Sequence, residues 1–260
     1  MLVNNKTTNI DESLLSNIFH KDGYLVIKSM ASEGQCNSLL EVIVEHLATQ
    51  LAPLEYEADV KYPGAPSSVD DLGGKTIRRL LHAYARDPIF RSWAANEVVK
   101  LRLQELFGSE EICLSQSHHN CVMTKGSGFS SSTLWHQDNR YWSFDEQNLV
   151  SVWLALGQER DENGCLWVIP GSHKVDLDPG RYDARSFLRT DLELNQGLIS
   201  RAVKVELEKG DVVFFHSRLF HAAGKNHTQK TKKSLVFTYH ELKNQAIEET
   251  RSSRFPSIDL

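Results

Sequence analysis

A chain of 260 residues with 40% hydrophobic and 24% charged residues has the length and balance of one globular domain with a sizeable core. A formal net charge of −5 offers no broad basic surface for nucleic acid, and no apolar run approaches the ~18 residues a membrane span needs. The four cysteines, at positions 36, 113, 121 and 165, lack Cys-x-x-Cys spacing, which argues against a zinc ribbon or a disulfide scaffold.

A first helix is expected from Asp11 to about His20, followed by a turn at Asp22-Gly23 and a strand over 24–27. Ser32 with Gln35 forms a capping-box pair opening a second helix, whose apolar stripe is Leu39, Ile43, Leu47 and Leu51 and which Pro53 closes. From Tyr56 to about Lys75 the chain is polar and rich in Pro, Gly and Ser, so a loop is expected. Asp87-Pro88 opens a third helix that Gly108 ends, with Trp93, Val98, Leu101 and Leu106 as its packed face. Beyond Gly108 the pattern changes to short strands, over 112–125, 150–156, 166–169, 202–207, 212–216 and 235–239. Many strands after a helical start predict a mainly β domain with flanking helices: one domain over 1–260, helical to about 108, with its β core over about 109–242. A long insertion between His173 and Ser200 has the length of a lid, although Arg181, Tyr182, Arg185 and Phe187 read better as a solvated loop than as substrate contacts.

The chemistry centres on Trp135-His136-Gln137-Asp138. Alternate residues of a strand project to one face, so His136 and Asp138 can aim an imidazole and a carboxylate at one point. The apolar run 211–221 ends on His221, which can complete a set of three ligands. Two histidines and one carboxylate leave three positions of an octahedron open, the arrangement with which non-haem Fe(II) oxygenases hold a chelating cosubstrate and O2. With 11 histidines, chance alone supplies roughly 0.6 His-x-Asp pairs. Taken residue by residue, a surface hydrogen bond and a satisfied core histidine account for them equally well.

Context separates those readings. The segments HKDGYLVIK, WHQD, VSVWLAL, ENGCLWVIPGSHK and KGDVVFFHSRLFHAAGKN, in this order from about residue 20 to about 240, resemble the phytanoyl-CoA dioxygenase-like family. The resemblance implies a double-stranded β-helix, a jelly-roll, cupin-like core, that binds Fe(II) through His136, Asp138 and His221 and takes 2-oxoglutarate as cosubstrate. Residues 116–125 are similar to a strand of ectoine hydroxylase, which implies that Gln116 and Asn120 lie near the cosubstrate. Their i, i+4 spacing would keep both amides on one strand face; amides of an edge strand facing water are the plainer reading. Trp142 matches a substrate-contacting position of the same relative, with a packed rim tryptophan as the alternative.

The chain departs from the family eleven residues beyond His221, where Lys232 stands in place of an arginine, with Lys233 beside it. A lysine neutralises the far carboxylate of 2-oxoglutarate as a point charge, without an arginine's bidentate fork. Alternation places Lys232 and Ser234 on one face and Lys233, Leu235 and Phe237 on the other, and leaves open which lysine faces the site; two solvated lysines are the alternative. Ala223 stands where close relatives often place a serine. Related halogenases carry a small apolar residue in place of Asp138, so the retained carboxylate points to hydroxylation, desaturation or ring closure. Arg78, Arg79 and Arg140, near aromatic residues, would suit a substrate bearing a carboxylate or phosphate, and surface salt bridges would explain Arg78 and Arg79 equally well.

The expected protein is therefore a cytoplasmic Fe(II)- and 2-oxoglutarate-dependent dioxygenase acting with O2 on a small molecule, releasing succinate and CO2 and engaging neither nucleic acid nor membrane. Its rivals are a non-oxidative metal-binding sensor and a cupin-like zinc hydrolase or isomerase.

Overall fold

The computed structural model describes residues 2–4 and 12–260, so Asp11 lies outside the described residues. Strand β1 (Leu2–Asn4) precedes helix α1 (Glu12–Asp22) and β2 (Tyr24–Lys28). Helix α2 (Glu33–Ala48) opens with the expected capping box, in which Gln35 N donates to Ser32 Oγ and Ser32 N donates to Gln35 Oε1. It stops at Ala48, well short of Pro53, so Leu51 lies beyond the helix and is 45% exposed.

Strands β3 (Leu54–Tyr56) and β4 (Ile77–Leu81) bracket a stretch made mainly of turns, and the short α3 (Ala83–Arg86) follows. The helix expected over 87–108 is two helices, α4 (Pro88–Ala94) and α5 (Glu97–Phe107). Each has its own cap, Asp87 accepting from Ile89 N and Asn96 from Val98 N. Restarting at Asn96 resets the helical phase: Val99, Leu103 and Leu106 are buried, whereas Val98 and Leu101, expected on the packed face, are exposed.

The β core comprises β5 (Ile112–Lys125), β6 (Thr133–His136), β7 (Val150–Ala155) and β8 (Leu166–Val168), then β9 (Val203–Val205) after helix α6 (Glu193–Ile199). It continues through β10 (Val212–His216), β11 (His221–Ala223), β12 (Lys232–Glu241) and β13 (Ile258–Asp259). The larger sheet runs β1-β2-β10-β7-β12-β5-β4-β3, with β13 also on β5, and the smaller runs β6-β11-β8-β9. Apart from the parallel β1–β2 pair, the ladders are antiparallel. The sheets form an open two-sheet jelly roll, with helices α1, α2, α4 and α5 packed on the outer face of the larger one.

Alternation decides which face each side chain takes. On β12, Leu235, Phe237 and Tyr239 pack against the helices while Val236 points between the sheets; β10 divides Phe214 and Phe215 in the same way. Both faces are covered, which is why these strands read as continuous apolar runs. The apolar run 211–221 is divided between sheets: β10 ends at His216, as the strand expected over 212–216 does, and the chain crosses over 217–220 into β11. Ser217 Oγ donates to Gln147 O at 2.9 Å, and Phe220 N donates to Ser172 Oγ at 2.9 Å, holding the crossing. His221 thus begins a strand of the smaller sheet instead of ending one of the larger. Among the described residues no helix is long and apolar enough to cross a membrane.

Candidate metal centre

The crossing makes His221 the direct cross-strand partner of His136, with imidazole centroids 4.2 Å apart. Strand β6 ends at His136; Gln137 keeps extended backbone angles, and Asp138 begins a 3-10 turn over Asp138–Tyr141. The alternation expected of a strand therefore persists for two residues past the strand's end. His136 Nε2 and His221 Nε2 each lie 3.7 Å from Asp138 Oδ1. Those separations are too long for hydrogen bonds, and the three donor atoms all lie within 4.8 Å of one another.

Backbone carbonyls set the tautomers. His136 Nδ1 lies 2.8 Å from Leu134 O and His221 Nδ1 lies 3.0 Å from Leu219 O, so each Nδ1–H donates and each Nε2 lone pair faces Asp138. Burial pushes the His136 imidazole down to about 4, helped by His221, which keeps it neutral as a ligand must be. Burial alone would raise the Asp138 carboxyl, but His119, His221 and His136 around it hold it below the usual carboxylate range. Asp138 Oδ2 is buried without a hydrogen bond. Two carbonyl-anchored imidazoles, an ionised carboxylate and an orphaned buried oxygen fit a divalent cation bound on one side, which supplies the charge that this cluster lacks.

The triad opens onto a cavity of about 600 Å³, whose lining includes Trp142, Arg78, Arg79 and Lys232. Trp142 stacks on His118 with centroids 4.8 Å apart. Arg78 donates to Glu55 Oε1 and Thr133 Oγ1, both at 3.3 Å, and Arg79 Nε lies 3.2 Å from Glu55 Oε1. The question between the two lysines is settled by register: Lys232 pairs with Lys125 and shares its face with Ser234 and Val236, whereas Lys233 lies on the face of Leu235 and Phe237. Lys232 is nevertheless ion-paired, its Nζ 2.9 Å from Glu159 Oε2.

Three expected residues are not brought to the cavity. The β5–β12 ladder is interrupted, Phe237 pairing with Asn120 and Thr238 with Ser115, so residues 116–119 bulge out of register. Asn120 opposes Phe237 and therefore faces the helices, where its Oδ1 accepts from Tyr84 N at 2.8 Å. Gln116 Nε2 donates instead to Pro256 O at 2.8 Å. The one-face argument for these two amides fails because the strand between them is not regular. Arg140 is stacked between Tyr141 and Phe187, at 4.2 and 3.8 Å, and donates to Arg185 O and Ser186 O, so it clamps the loop that follows His173.

That loop is ordered by more than solvent. Phe187 is 2% exposed and lines the cavity with Arg185, while Arg181 Nε donates to Asn195 Oδ1 at 2.7 Å. The solvated-loop reading therefore holds for neither Phe187 nor Arg181. The sequence also left unmarked His118, His119, Lys125 and Glu159. His119 Nδ1 lies 3.5 Å from Asp138 Oδ2, and the bulge is what turns both histidines toward the site. Lys125 Nζ donates to Ser131 O and Gly224 O at 2.9 and 2.6 Å; burial, with the charges of Lys232 and Arg78, pushes its ammonium down to about 7. An adjacent lysine across a ladder is a contact no local pattern announces.

Residues 19–234 match the family described as phytanoyl-CoA dioxygenase. The peroxisomal phytanoyl-CoA dioxygenase of Rattus norvegicus is 27% identical over 88% of this chain and 70% of its own length. That of Mus musculus is 34% identical over 84% of this chain and 64% of its own. Among solved structures, EctD from S. alaskensis with 2-oxoglutarate and 5-hydroxyectoine superposes with a TM-score of 0.72 at 20% identity, covering 94% of this chain and 80% of that one. The epimerase SnoN in complex with Fe3+, alpha ketoglutarate and nogalamycin RO gives 0.72 at 21% identity, covering 90% and 85%. At such identities the superpositions speak to the fold.

Proposed function

The chain belongs to the phytanoyl-CoA dioxygenase family of Fe(II)- and 2-oxoglutarate-dependent enzymes, and on that premise we propose that it hydroxylates an anionic small molecule, with His136, Asp138 and His221 holding the iron. The observation that carries this reading is the convergence of two carbonyl-anchored imidazoles and one orphaned carboxylate on one wall of a cavity of about 600 Å³. Bound there, Fe(II) would supply the oxidising chemistry: O2 and 2-oxoglutarate are consumed, succinate and CO2 leave, and one oxygen atom goes to the substrate.

The chain's own residues hold, orient and exclude. Lys232 and Lys125, side by side across β12 and β5, receive the far carboxylate of the cosubstrate. Phe187 and Trp142 close the substrate side against water, and Arg140 keeps Phe187 in place. Seven Lys and Arg residues line the cavity against four Asp and Glu, and with Glu159 pairing Lys232 from behind the wall the balance stays cationic, which favours an acidic substrate beside the acidic cosubstrate.

The test is succinate release by protein loaded anaerobically with Fe(II), assayed with and without air against a panel of small carboxylates and phosphates. Succinate is expected only with air, stimulated by the true substrate, and abolished by His136→Ala. Turnover of a panel member by Zn(II)-loaded protein without air would overturn the oxidative reading in favour of a hydrolase or isomerase.

A further inference from the structure

The metal site has no need of Glu159, yet this carboxylate is held by three side-chain donors. Its side chain has no solvent exposure. Oε1 accepts from Trp153 Nε1 at 2.9 Å and from Ser234 Oγ at 2.5 Å, while Lys232 Nζ donates to Oε2 at 2.9 Å. Its backbone is pinned by paired hydrogen bonds with Leu207, at 2.9 and 3.0 Å. Trp153, Ser234 and Lys232 all project from the inner face of β7 and β12, so the carboxylate is encircled by donors of the sheet that walls the cavity.

The consequence falls on Lys232. The ammonium that faces the cavity is already paired, and a second carboxylate arriving there must share it with Glu159 and stand near a like charge. Lys125 opposite has carbonyl partners only. Charged groups facing it are Lys232 and Glu159 from the adjoining strand and turn, Arg78 from β4 and Glu57 beyond β3. Burial, with the charges of Lys232 and Arg78, pushes its ammonium down to about 7, so Lys125 offers an arriving carboxylate less charge than an exposed lysine would.

Building on the cosubstrate reading above, we propose that Glu159 sets cosubstrate specificity: by neutralising Lys232 it relaxes the requirement for a far carboxylate, so that 2-oxo acids lacking one are accepted beside 2-oxoglutarate. Glu159 touches neither iron nor cosubstrate and acts through Lys232, as a positioning residue.

The experiment is anaerobic calorimetric titration of Fe(II)-loaded protein at pH 8 with 2-oxoglutarate and with 2-oxobutyrate, which chelates through the same two groups but has no far carboxylate. Wild type is expected to separate the two acids by less than about thirtyfold, since a single charge-assisted hydrogen bond is shared. Glu159→Gln frees Lys232 and should tighten 2-oxoglutarate about tenfold or more while leaving 2-oxobutyrate unchanged. Glu159→Asp should move the ratio in the same direction by less. A purely structural role would shift both acids together, and that result overturns the proposal, as does a wild-type ratio above about thirtyfold, which is readable even if the variants fail to fold. A wild type that binds neither acid overturns the cosubstrate reading itself, and this inference with it.

Discussion

Replacing Lys232 by Met isolates the buried pair. Lys232 and Glu159 side chains are 4% and 0% exposed, so the substitution keeps the aliphatic stem and leaves a carboxylate with no cation and no solvent. Removing one partner of a buried pair costs about 3–5 kcal/mol. Glu159 keeps its bonds from Trp153 and Ser234, which places the loss near the lower end, about 3 kcal/mol. With an unfolding entropy of about 2.1 cal/mol/K per residue, a chain of 260 residues should then melt about 5 °C lower. Adding Glu159→Gln should recover at least about 2 kcal/mol, because a neutral pair has no stranded charge. Thermal and denaturant unfolding of the two single variants and the double variant complete the cycle. A Lys232→Met variant that loses less than about 1 kcal/mol, or a double variant no more stable than the single losses summed, refutes the argument that the pair is buried and coupled.

Two further outcomes rest on other parts of the site. Burial pushes His118 and His216 down to about 3 and His119 and His136 down to about 4. They stay neutral in the folded protein while the unfolded chain takes protons below about 6.5, so stability is full above that pH and falls as pH drops toward 4. At about 1.4 kcal/mol per histidine per pH unit, metal-free protein should lose several kcal/mol between pH 6.5 and 5; a melting temperature flat over that range would contradict the burial of these rings. Gly164, at φ +77, would place an alanine Cβ 2.5 Å from Gly224 O and 2.8 Å from Lys125 Cδ. Gly164→Ala should therefore cost about 2–4 kcal/mol in denaturant unfolding and weaken 2-oxoglutarate binding by displacing Lys125; unchanged binding would remove Lys125 from the anchoring scheme.

Much of the architecture was legible because it depends on local chemistry. The capping box at Ser32, the Pro88 helix start and the strand over 112–125 are fixed by short-range preferences, and they appear where the pattern puts them. His136, Asp138 and His221 stood out because few residue types can hold an oxygen-activating metal, and the structure brings the three together. The break at Asn96 is signalled only by a capping residue inside an apparently continuous helical pattern.

What the linear pattern could not carry is whatever depends on register and on pairing across long separations. Alternation gives two faces but not which of them is inner, so Lys232 and Lys233 were indistinguishable until β12 was seated between β5 and β7. Asn120 faces the helices because it pairs with Phe237, and one bulge over 116–119 turns His118 and His119 to the cavity, because residues that leave the ladder no longer alternate between its two faces. The Lys232–Glu159 pair joins residues 73 apart in the chain. Sequence sufficed for the identity of the metal-binding groups, whose chemistry is intrinsic to each side chain; only the folded arrangement decided which charges remain unpaired around them, because burial and neighbours are properties of the packed sheets.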